Sequence, residues 1–548
     1  MARLDYFAPG VYIEEIDRGS RPIEGVQTNI AGFIGFTEDV RGEAEQFKPM
    51  LVTSWSQYLE YFAKQDSDGY TDFNAYLPFA VSGWFLNGGG RCWVTSIGTQ
   101  LPGTEPPPVE ETGIKIKTSG NRPALHFTMK PEEVEYGRID IAIRPSEPMP
   151  PPEDSEEEDP PFNTGEFFSV VISRNGQELE RYDNLTMNRE PQAQVATYAV
   201  TALEQSQFVT VTDLCQTGLP LVRRPVNGRF EVNPPPVVTR PERLARDVQG
   251  IRDDRTGVQG LFEIDEITMI ACPDLMRAYE AGLMDMDQVH GIMELMVSLC
   301  ENSAPNPPNR MVVLDPPPDR VKPQQVVQWL NDINRRSMFA ALYYPWIKVA
   351  NPRNGGRPIL VPPCGHMLGV WSRIDETRGV YKAPANEIPR GVIGLGYDCN
   401  FREQELLNPI GINCIRSFPN RGIRIWGART LVEPDKTEWR YISVRRLISY
   451  IEKSIELGTQ WVVFEPNDMD LWERVKRTVS NFLERLWRDG ALFGGSPDEA
   501  FYVKCDGELN TPETMMLGRL YVEVGVCPVR PAEFVIFRIS QWSPDDQQ

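Results

Sequence analysis

A regular alternation of apolar runs and helical stretches in the middle of the chain constrains the fold most strongly. The segments are short and follow one another between residues 245 and 385. In chain order they are Ile267–Ala271, the helical stretch 284–300, Met311–Leu314, the helical stretch 323–335 and Ala340–Tyr344. Because strands that are connected through helices pair side by side in the same direction, this pattern predicts a mostly parallel α/β sheet.

The first hundred residues carry a similar pattern of elements. In order, these are the strand Ala31–Phe36, helical stretches at 54–62 and 74–86, the turn Asn87–Gly90 and a strand that begins with Cys92–Val94. The glycines of the turn suit the left-handed conformation that ends a helix. We therefore assign 31–100 and 246–385 to one α/β domain.

Residues 101–245 differ in composition from both flanks. A proline-rich stretch leads into the acidic run Glu153–Asp159, which is typical of a solvated loop. Short strand-like runs surround it at Ile114–Lys117, Ile139–Ile143 and Phe167–Arg174. We predict an inserted β-rich surface domain over 101–245, with an acidic, proline-rich loop.

The chain is strongly acidic, with a net charge of −21 over 548 residues. Nucleic acids and anionic lipids select basic surfaces, so we expect neither as a partner. Nine cysteines occur without a C-x-x-C motif, which is typical of reduced thiols in a protein made in the cytosol. The N-terminus lacks a signal-peptide pattern, and no apolar run reaches the roughly 18 residues that span a membrane.

Sequence motifs of enzymes are missing. The histidines are His126, His290 and His366, and none has a metal-ligand partner one helical turn away. We interpret His366 as a hydrogen-bonded structural histidine rather than a catalytic base. Gly391–Gly396 has the wrong spacing for a dinucleotide loop, and no phosphate loop or nucleophile elbow occurs. We therefore predict a protein without catalysis, metal or cofactor, although distant residues can still assemble a Ser-His-Asp triad in a folded chain.

The C-terminal segment Glu533–Ile539 is apolar on both faces of a predicted strand. The apolar side chains, which alternate between the two faces, are Phe534, Val535, Ile536, Phe537 and Ile539. A strand of this kind needs cover on both sides. It is therefore either an interior strand of its own domain or an arm that completes the sheet of another subunit. The N-terminal residues Val11, Tyr12 and Ile13 form a second candidate arm.

The helical stretch 468–489 combines an apolar stripe with a basic flank. The stripe has helical spacing and consists of Leu471, Val475, Val479, Phe482 and Leu486. The arginines that share the flank are Arg474, Arg477, Arg485 and Arg488. The flank is either a solvated face with local ion pairs or a docking edge for an acidic partner.

Seven motifs in a fixed order resemble the phage tail sheath family and its relatives in contractile injection systems. They are Pro9–Glu15 with Gly32–Gly35, Asn87–Val94, Ala340–Trp346, Val361–His366 with Arg378–Asn386, Gly411–Arg416, Arg424–Thr430 and Tyr502–Asp506. Each motif alone is weak, but their order makes the combination specific. The resemblance covers 1–100 and 245–548 and leaves out the insert.

The resemblance implies a subtilisin-like α/β domain and a C-terminal sheath domain at 386–530, with extended arms at 1–30 and 531–548. It implies hexameric rings that stack around an inner tube and contract to drive the tube through a target envelope. Arms would join neighbours through shared β-sheets. The implied partners are other copies of the chain, the tube protein, and baseplate and terminal cap proteins.

The resemblance also implies that a helix of the C-terminal domain docks on the tube by charge. The stretch 468–489 is the first choice, and 437–457, with Arg440, Arg445 and Arg446, is the second. We expect synthesis in the bacterial cytoplasm and function in a phage tail, a bacteriocin or an injection device. An alternative gives the same sheath scaffold a glycan- or surface-binding insert.

Overall fold

The computed structural model describes residues 22–101, 113–130, 137–146, 165–174, 176–189, 197–232, 241–301 and 309–537, together with Glu133. The acidic run Glu153–Asp159, the candidate arm residues Val11, Tyr12 and Ile13, and Ile539 lie outside the described residues.

Short strands and helices alternate along the whole described chain. The first half contains β1 (Ile30–Gly35), β2 (Pro49–Val52), α1 (Trp55–Phe62), α2 (Leu77–Leu86), β3 (Arg91–Ser96), β4 (Ile114–Lys117), β5 (Pro123–Met129), β6 (Ile139–Pro145), β7 (Phe168–Arg174), β8 (Gln177–Thr186), β9 (Thr197–Tyr198), α3 (Ala199–Leu203), β10 (Val209–Asp213), α4 (Pro220–Arg223) and β11 (Gly228–Val232). The segment that follows contains α5 (Pro241–Gln249), α6 (Gly257–Phe262), β12 (Met269–Ala271), α7 (Asp274–Glu280), α8 (Met286–Glu301), β13 (Met311–Leu314), α9 (Pro323–Ile333), β14 (Ala340–Tyr344), β15 (Ile347–Asn351), β16 (Arg357–Val361), α10 (Cys364–Arg378), β17 (Val392–Leu395), α11 (Phe401–Leu407), β18 (Ile412–Phe418) and β19 (Gly422–Ile425). The last segment contains α12 (Ile442–Gly458), α13 (Met469–Arg488), α14 (Pro497–Ala500), β20 (Phe501–Lys504), α15 (Pro512–Met516) and β21 (Glu523–Val526).

The predicted parallel sheet forms the centre of the protein. Its strand order is β19-β18-β14-β13-β12-β1-β3-β2. All neighbours from β18 to β3 pair in parallel, whereas β19 and β2 close the edges in antiparallel fashion. The inner strands are apolar throughout and buried, as expected for a sheet that helices cover on both faces. We call this sheet with its helices the central unit.

The predicted domain boundary at residue 386 is wrong. Strand β18 pairs with β14 inside the central sheet, and β17 pairs with β15 in a smaller antiparallel sheet. The backbone N–H of Leu431 still donates to the carbonyl of Ala340. The C-terminal unit therefore begins after Leu431, because the strands between 386 and 431 complete sheets that started far upstream.

The predicted β-rich segment has a hydrophobic core of its own. Two sheets, with strand orders β10-β5-β4 and β11-β6-β7-β8-β9, enclose residues such as Phe127, Ile141 and Phe168. All of their strand pairs are antiparallel except β8-β9, which is parallel. In the chain this segment lies between β3 and β12 of the central sheet. We call its described part, 113–232, the insert.

The C-terminal unit packs around the amphipathic helix α13. The stripe residues Leu471, Val475, Val479, Phe482 and Leu486 are all buried, as their spacing predicts. Helix α12 and the two-stranded sheet β20-β21 pack against the same cluster. Ile23, from the beginning of the described chain, is fully buried there.

The carboxylate of Asp274 joins three elements of the central unit. Asp274 begins α7 and accepts hydrogen bonds from the backbone N–H groups of Phe36 after β1 (2.7 Å), Tyr76 (2.6 Å) and Leu77 (3.1 Å) at the start of α2. Burial raises the pKa of Asp274 to about 7, and the three N–H groups act in the opposite direction. A buried carboxylate at a helix N-terminus satisfies donors that have no partner in the helix.

We expect Asp274→Asn to lower the free energy of unfolding by about 2–4 kcal/mol. The amide nitrogen cannot accept a hydrogen bond, so buried donors are left unsatisfied at about 1–3 kcal/mol each. Denaturant unfolding followed by tryptophan fluorescence measures the change. Asp254→Asn, at an exposed position, is the matched control, and equal stability of the two variants would contradict the assignment.

Candidate assembly sites

The C-terminal apolar segment does not form a strand within its own subunit. Residues 531–537 have no regular secondary structure, and the side chains of Phe534, Val535, Ile536 and Phe537 are 69–82% exposed. The alternative of an interior strand is therefore wrong for residues 533–537. Apolar side chains that face solvent in a continuous run are a feature of interaction sites.

One carboxylate holds this segment at its beginning. Glu533 accepts hydrogen bonds from Arg429 (Nε to Oε1, 2.9 Å; Nη2 to Oε2, 2.5 Å), from Asn408 Nδ2 (2.8 Å) and from the Tyr441 hydroxyl (3.0 Å). Burial acts to raise the pKa of Glu533, but the bonds from Arg429, Asn408 and Tyr441 outweigh it and hold the pKa below its usual value. We call Arg429, Asn408 and Tyr441 the Glu533 pocket.

The segment 22–29 is anchored inside the subunit, although the sequence places it in the N-terminal arm. Ile23 lies in the core of the C-terminal unit, and the N–H of Val26 donates to Ser454 Oγ (3.2 Å). Thr28 donates to Asp375 Oδ2 (2.7 Å), and its carbonyl accepts from Arg446 (3.0 Å). The predicted arm boundary at residue 30 is therefore too late, because buried contacts hold residues 23–28.

The small sheet β20-β21 offers open edges. The two strands pair with each other in antiparallel fashion, and no other strand of the described chain pairs with either outer edge. The outer edges of a ribbon carry backbone groups that can pair with another strand. These edges are candidate acceptors for an extended segment.

The basic flank of α13 is partly engaged within the subunit. Arg474 pairs with Glu465 (3.3 Å) and lies over the Trp461 ring, and Arg488 pairs with Glu484 (2.5 Å). Arg485 donates to the carbonyl of Ile23. Arg477 is exposed and has no hydrogen bond or ion pair among the described residues. The local ion pairs of the first interpretation are therefore present, and Arg477 is the arginine most available to a partner.

The second-choice helix α12 does not present a basic edge. Arg445 and Arg446 are only 3% and 7% exposed. Arg446 forms a two-pronged ion pair with Asp375, and Arg445 pairs with Glu452 (3.0 Å). Arg440 donates to the carbonyl of Pro434. The proposed docking role of this helix is wrong for Arg445 and Arg446, since both side chains are buried in intramolecular contacts.

The histidines have structural surroundings. His366 is buried in α10, where burial lowers its pKa to about 4, and its Nδ1 has no hydrogen-bond partner in the described chain, so the expected bond at this atom is not present. His290 accepts a hydrogen bond from Trp329 Nε1 (3.1 Å). The described residues contain no cluster of His, Cys, Asp and Glu that could hold a metal. They also contain no helix long and apolar enough to cross a membrane.

Two family models match most of the chain that follows the insert. The model of the phage tail sheath protein central domain matches residues 265–431, and that of the phage tail sheath C-terminal domain matches 435–541. The chain belongs to the phage tail sheath protein family. The boundary between the two models coincides with the end of the central unit at Leu431. As a sheath protein the chain is structural and not an enzyme.

Relatives of this sheath protein match only part of their length. The tail sheath protein of Salmonella phage ViI is 27% identical over 225 residues, which are 40% of this chain and 34% of that protein. The tail sheath protein of Burkholderia phage BcepMu is 28% identical over 198 residues, 35% of this chain and 40% of that protein. The chain therefore aligns with well under half of either relative.

Two solved sheath structures have the same fold over their whole length. The helical sheath of the anti-feeding prophage (AFP) in its contracted state is 22% identical, with a TM-score of 0.56, and covers 98% of this chain and 100% of that chain. The contracted PVC sheath of an extracellular contractile injection system is 20% identical, with a TM-score of 0.55 and 99% coverage of both chains. At these identities the similarity establishes the mixed α/β sheath fold.

Sequence reasoning missed the contacts that hold the two terminal segments. The pair Arg429–Glu533 joins a motif residue to the single acidic residue before the apolar run, which was the available signal. The pair Asp375–Arg446 joins two helices without any such signal. Neither pair can be found from spacing, because its members are far apart in the chain.

We expect Gly25→Ala to destabilise the sheath subunit by about 1–3 kcal/mol, the usual effect of overpacking. A Cβ atom at Gly25 would overlap the Tyr450 hydroxyl, so either the tyrosine ring or the anchored segment would have to move. Gly291→Ala is the control: Gly291 lies in helix α8 with open space around it, and alanine there should stabilise by about 0.5–1 kcal/mol. Equal denaturant midpoints for the two variants would refute the anchor.

Proposed function

We propose that this chain is the sheath subunit of a contractile particle. It stacks as hexameric rings around an inner tube and drives the tube through a target envelope when the sheath shortens. The exposed run Phe534–Phe537 carries this proposal. Burial of each such side chain in a neighbour contributes about 1.5–3 kcal/mol, whereas in a lone subunit the run stays open to aggregation.

The exposed C-terminal run pairs with the sheet of a neighbouring subunit, and the ribbon β20-β21 is the best acceptor. The ribbon has open edges and belongs to the same unit as the arm. Each cross-strand pair contributes roughly 0.2–1 kcal/mol, so one arm stabilises a contact only weakly. A lattice in which every subunit donates and accepts arms turns weak contacts into a cohesive assembly.

The arms allow the rings to move without coming apart. Subunits rotate and slide as rigid bodies during contraction, and their faces repack into an arrangement of lower free energy. The buried contacts of residues 23–28 and the Glu533 pocket keep the origin of each arm on its own subunit. Baseplate proteins and terminal cap proteins bind the two ends of such a lattice.

Helix α13 contacts the inner tube through Arg477. Its side chain is exposed and unpaired in the described chain. Arg474, Arg485 and Arg488 lie on the same flank of the helix but are engaged in intramolecular contacts. The family resemblance supports the charged contact, and the buried arginines of α12 argue for α13 as the docking helix.

A glycan- or surface-binding role for the insert is supported by exposed apolar side chains at the short helix α4. Leu219, Leu221 and Val222 are more than half exposed, and the buried Arg223, the last residue of α4, forms an ion pair with Asp213 (2.5 Å). Exposed apolar side chains of this kind suit a surface-binding role. Loss of glycan or cell-surface binding after their replacement by serine would support it.

Replacement of Phe534, Val535, Ile536 and Phe537 by serine should leave a folded subunit that forms no tubes in electron micrographs, because the arm loses its apolar cover. The matched control replaces the exposed insert residues Leu219, Leu221, Val222 and Val226 by serine. This control should assemble like the wild type. Normal tubes from the arm variant would refute strand donation.

Arg477→Glu should weaken co-sedimentation of subunits with the inner tube at least severalfold at low salt. The difference from the wild type should shrink as salt rises, since screening weakens exposed charges. Arg402→Glu, an exposed arginine on α11, makes the same change of charge elsewhere. If both variants bind the tube equally well, α13 is not the docking helix.

A further inference from the structure

Very few hydrogen bonds connect the C-terminal arm to the rest of its subunit. The last backbone hydrogen bond before it joins the N–H of Val529 to the carbonyl of Ala491 (3.1 Å). Within the described chain, no backbone group of residues 530–537 forms a hydrogen bond. The side chain of Glu533 is the one in this stretch that bonds to the rest of the subunit.

The pocket that receives this side chain is itself firmly held. Arg429 is 6% exposed, and its backbone exchanges two hydrogen bonds with the side chain of Asn413 (2.7 and 2.8 Å). Its Nη1 donates to the carbonyl of Asn408 (3.0 Å). Tyr441 immediately precedes helix α12. The pocket therefore lies where the central unit meets the C-terminal unit. Its residues keep their place when the arm moves.

The donors in the pocket select a carboxylate. The Arg429 guanidinium binds both oxygens of Glu533, while Asn408 and Tyr441 each add one more donor. A glutamine side chain has one acceptor oxygen and would place its NH2 group against a donor. A buried arginine without its charged partner is strongly unfavourable. The folded subunit therefore keeps the Glu533 carboxylate bound in the pocket.

We propose that Glu533 is a positioning residue, which fixes the place and register at which the C-terminal arm leaves the subunit. The inference rests on the proposed function, since it concerns the same arm. It also gives a role to the motif Arg424–Thr430, whose Arg429 provides the charged contact. The pocket recognises a carboxylate of the same chain that stands directly before the apolar run Phe534–Phe537.

Loss of this contact moves the last fixed residue of the arm from Glu533 back to Val529. The free segment then grows by up to about 13 Å, at 3.3 Å for each extended residue. Strands in a sheet are about 4.8 Å apart, and a slip of one residue turns every side chain to the opposite face. A longer free segment also lowers the effective concentration of the arm at the acceptor.

Assembly of purified full-length subunits tests the proposal. Glu533→Gln should raise the subunit concentration needed for tube formation at least tenfold and yield short or irregular tubes. Tyr441→Phe removes one donor and keeps the ring, so a two- to fivefold increase is expected. Glu60→Gln changes an exposed carboxylate on α1 of the central unit, which belongs to neither the arm, the Glu533 pocket nor the ribbon, and should have no effect.

Two further measurements separate positioning from general instability. Hydrogen exchange should show α13 equally protected in wild type and Tyr441→Phe, while the amides of 534–537 in assembled tubes lose protection. Partial recovery in Glu533→Asp would also support positioning. If Glu533→Gln does not fold, Tyr441→Phe and Glu533→Asp decide the question.

The outcomes distinguish this inference from the proposed function. If the serine variant of 534–537 forms no tubes while Glu533→Gln and Tyr441→Phe assemble like the wild type, the positioning role is refuted and strand donation stands. If the serine variant assembles normally, both fall. A tenfold effect for Glu533→Gln together with no effect for Glu60→Gln supports the inference.

Discussion

The buried ion pair between Asp375 and Arg446 joins every part of the subunit except the insert. Asp375 lies on α10 of the central unit, and Arg446 lies on α12 of the C-terminal unit; both side chains are almost fully buried. Thr28 of the N-terminal segment bonds to both partners. Burial raises the pKa of Asp375 while Arg446 acts to lower it. Removal of one partner of such a pair typically costs about 3–5 kcal/mol, so the relative placement of the two units depends on it.

Both terminal segments are held at this same junction. The N-terminal segment passes between α10 and the C-terminal unit, and the C-terminal arm is held by residues at the end of the central sheet and the start of α12. An arm that must bind a neighbour needs a first part that is held by its own subunit and an apolar end that is free to bind. This arrangement keeps the unpaired part short, which limits the conformational entropy lost on assembly.

The arginines of the C-terminal helices differ in whether they are buried or face solvent. Arg445 and Arg446 have the sequence appearance of a basic surface, yet both are buried. Arg446 is paired with Asp375 of α10, and Arg445 with Glu452 of its own helix. Arg477, on the other hand, faces solvent. A helix with several arginines is therefore ambiguous until the tertiary contacts are known, because a long basic side chain can reach either a partner across the core or the solvent.

The sequence by itself determined the parallel α/β sheet, the short strands of the β-rich segment, the buried stripe of α13 and the family. These depend on local periodicity and on ordered motifs, which every segment carries on its own. Only the tertiary structure decided that β18 belongs to the central sheet, that residues 23–28 are anchored, and that Arg429 holds Glu533. The reason is that these features are contacts between residues tens to hundreds of positions apart. The sequence pattern around either partner does not indicate such a contact.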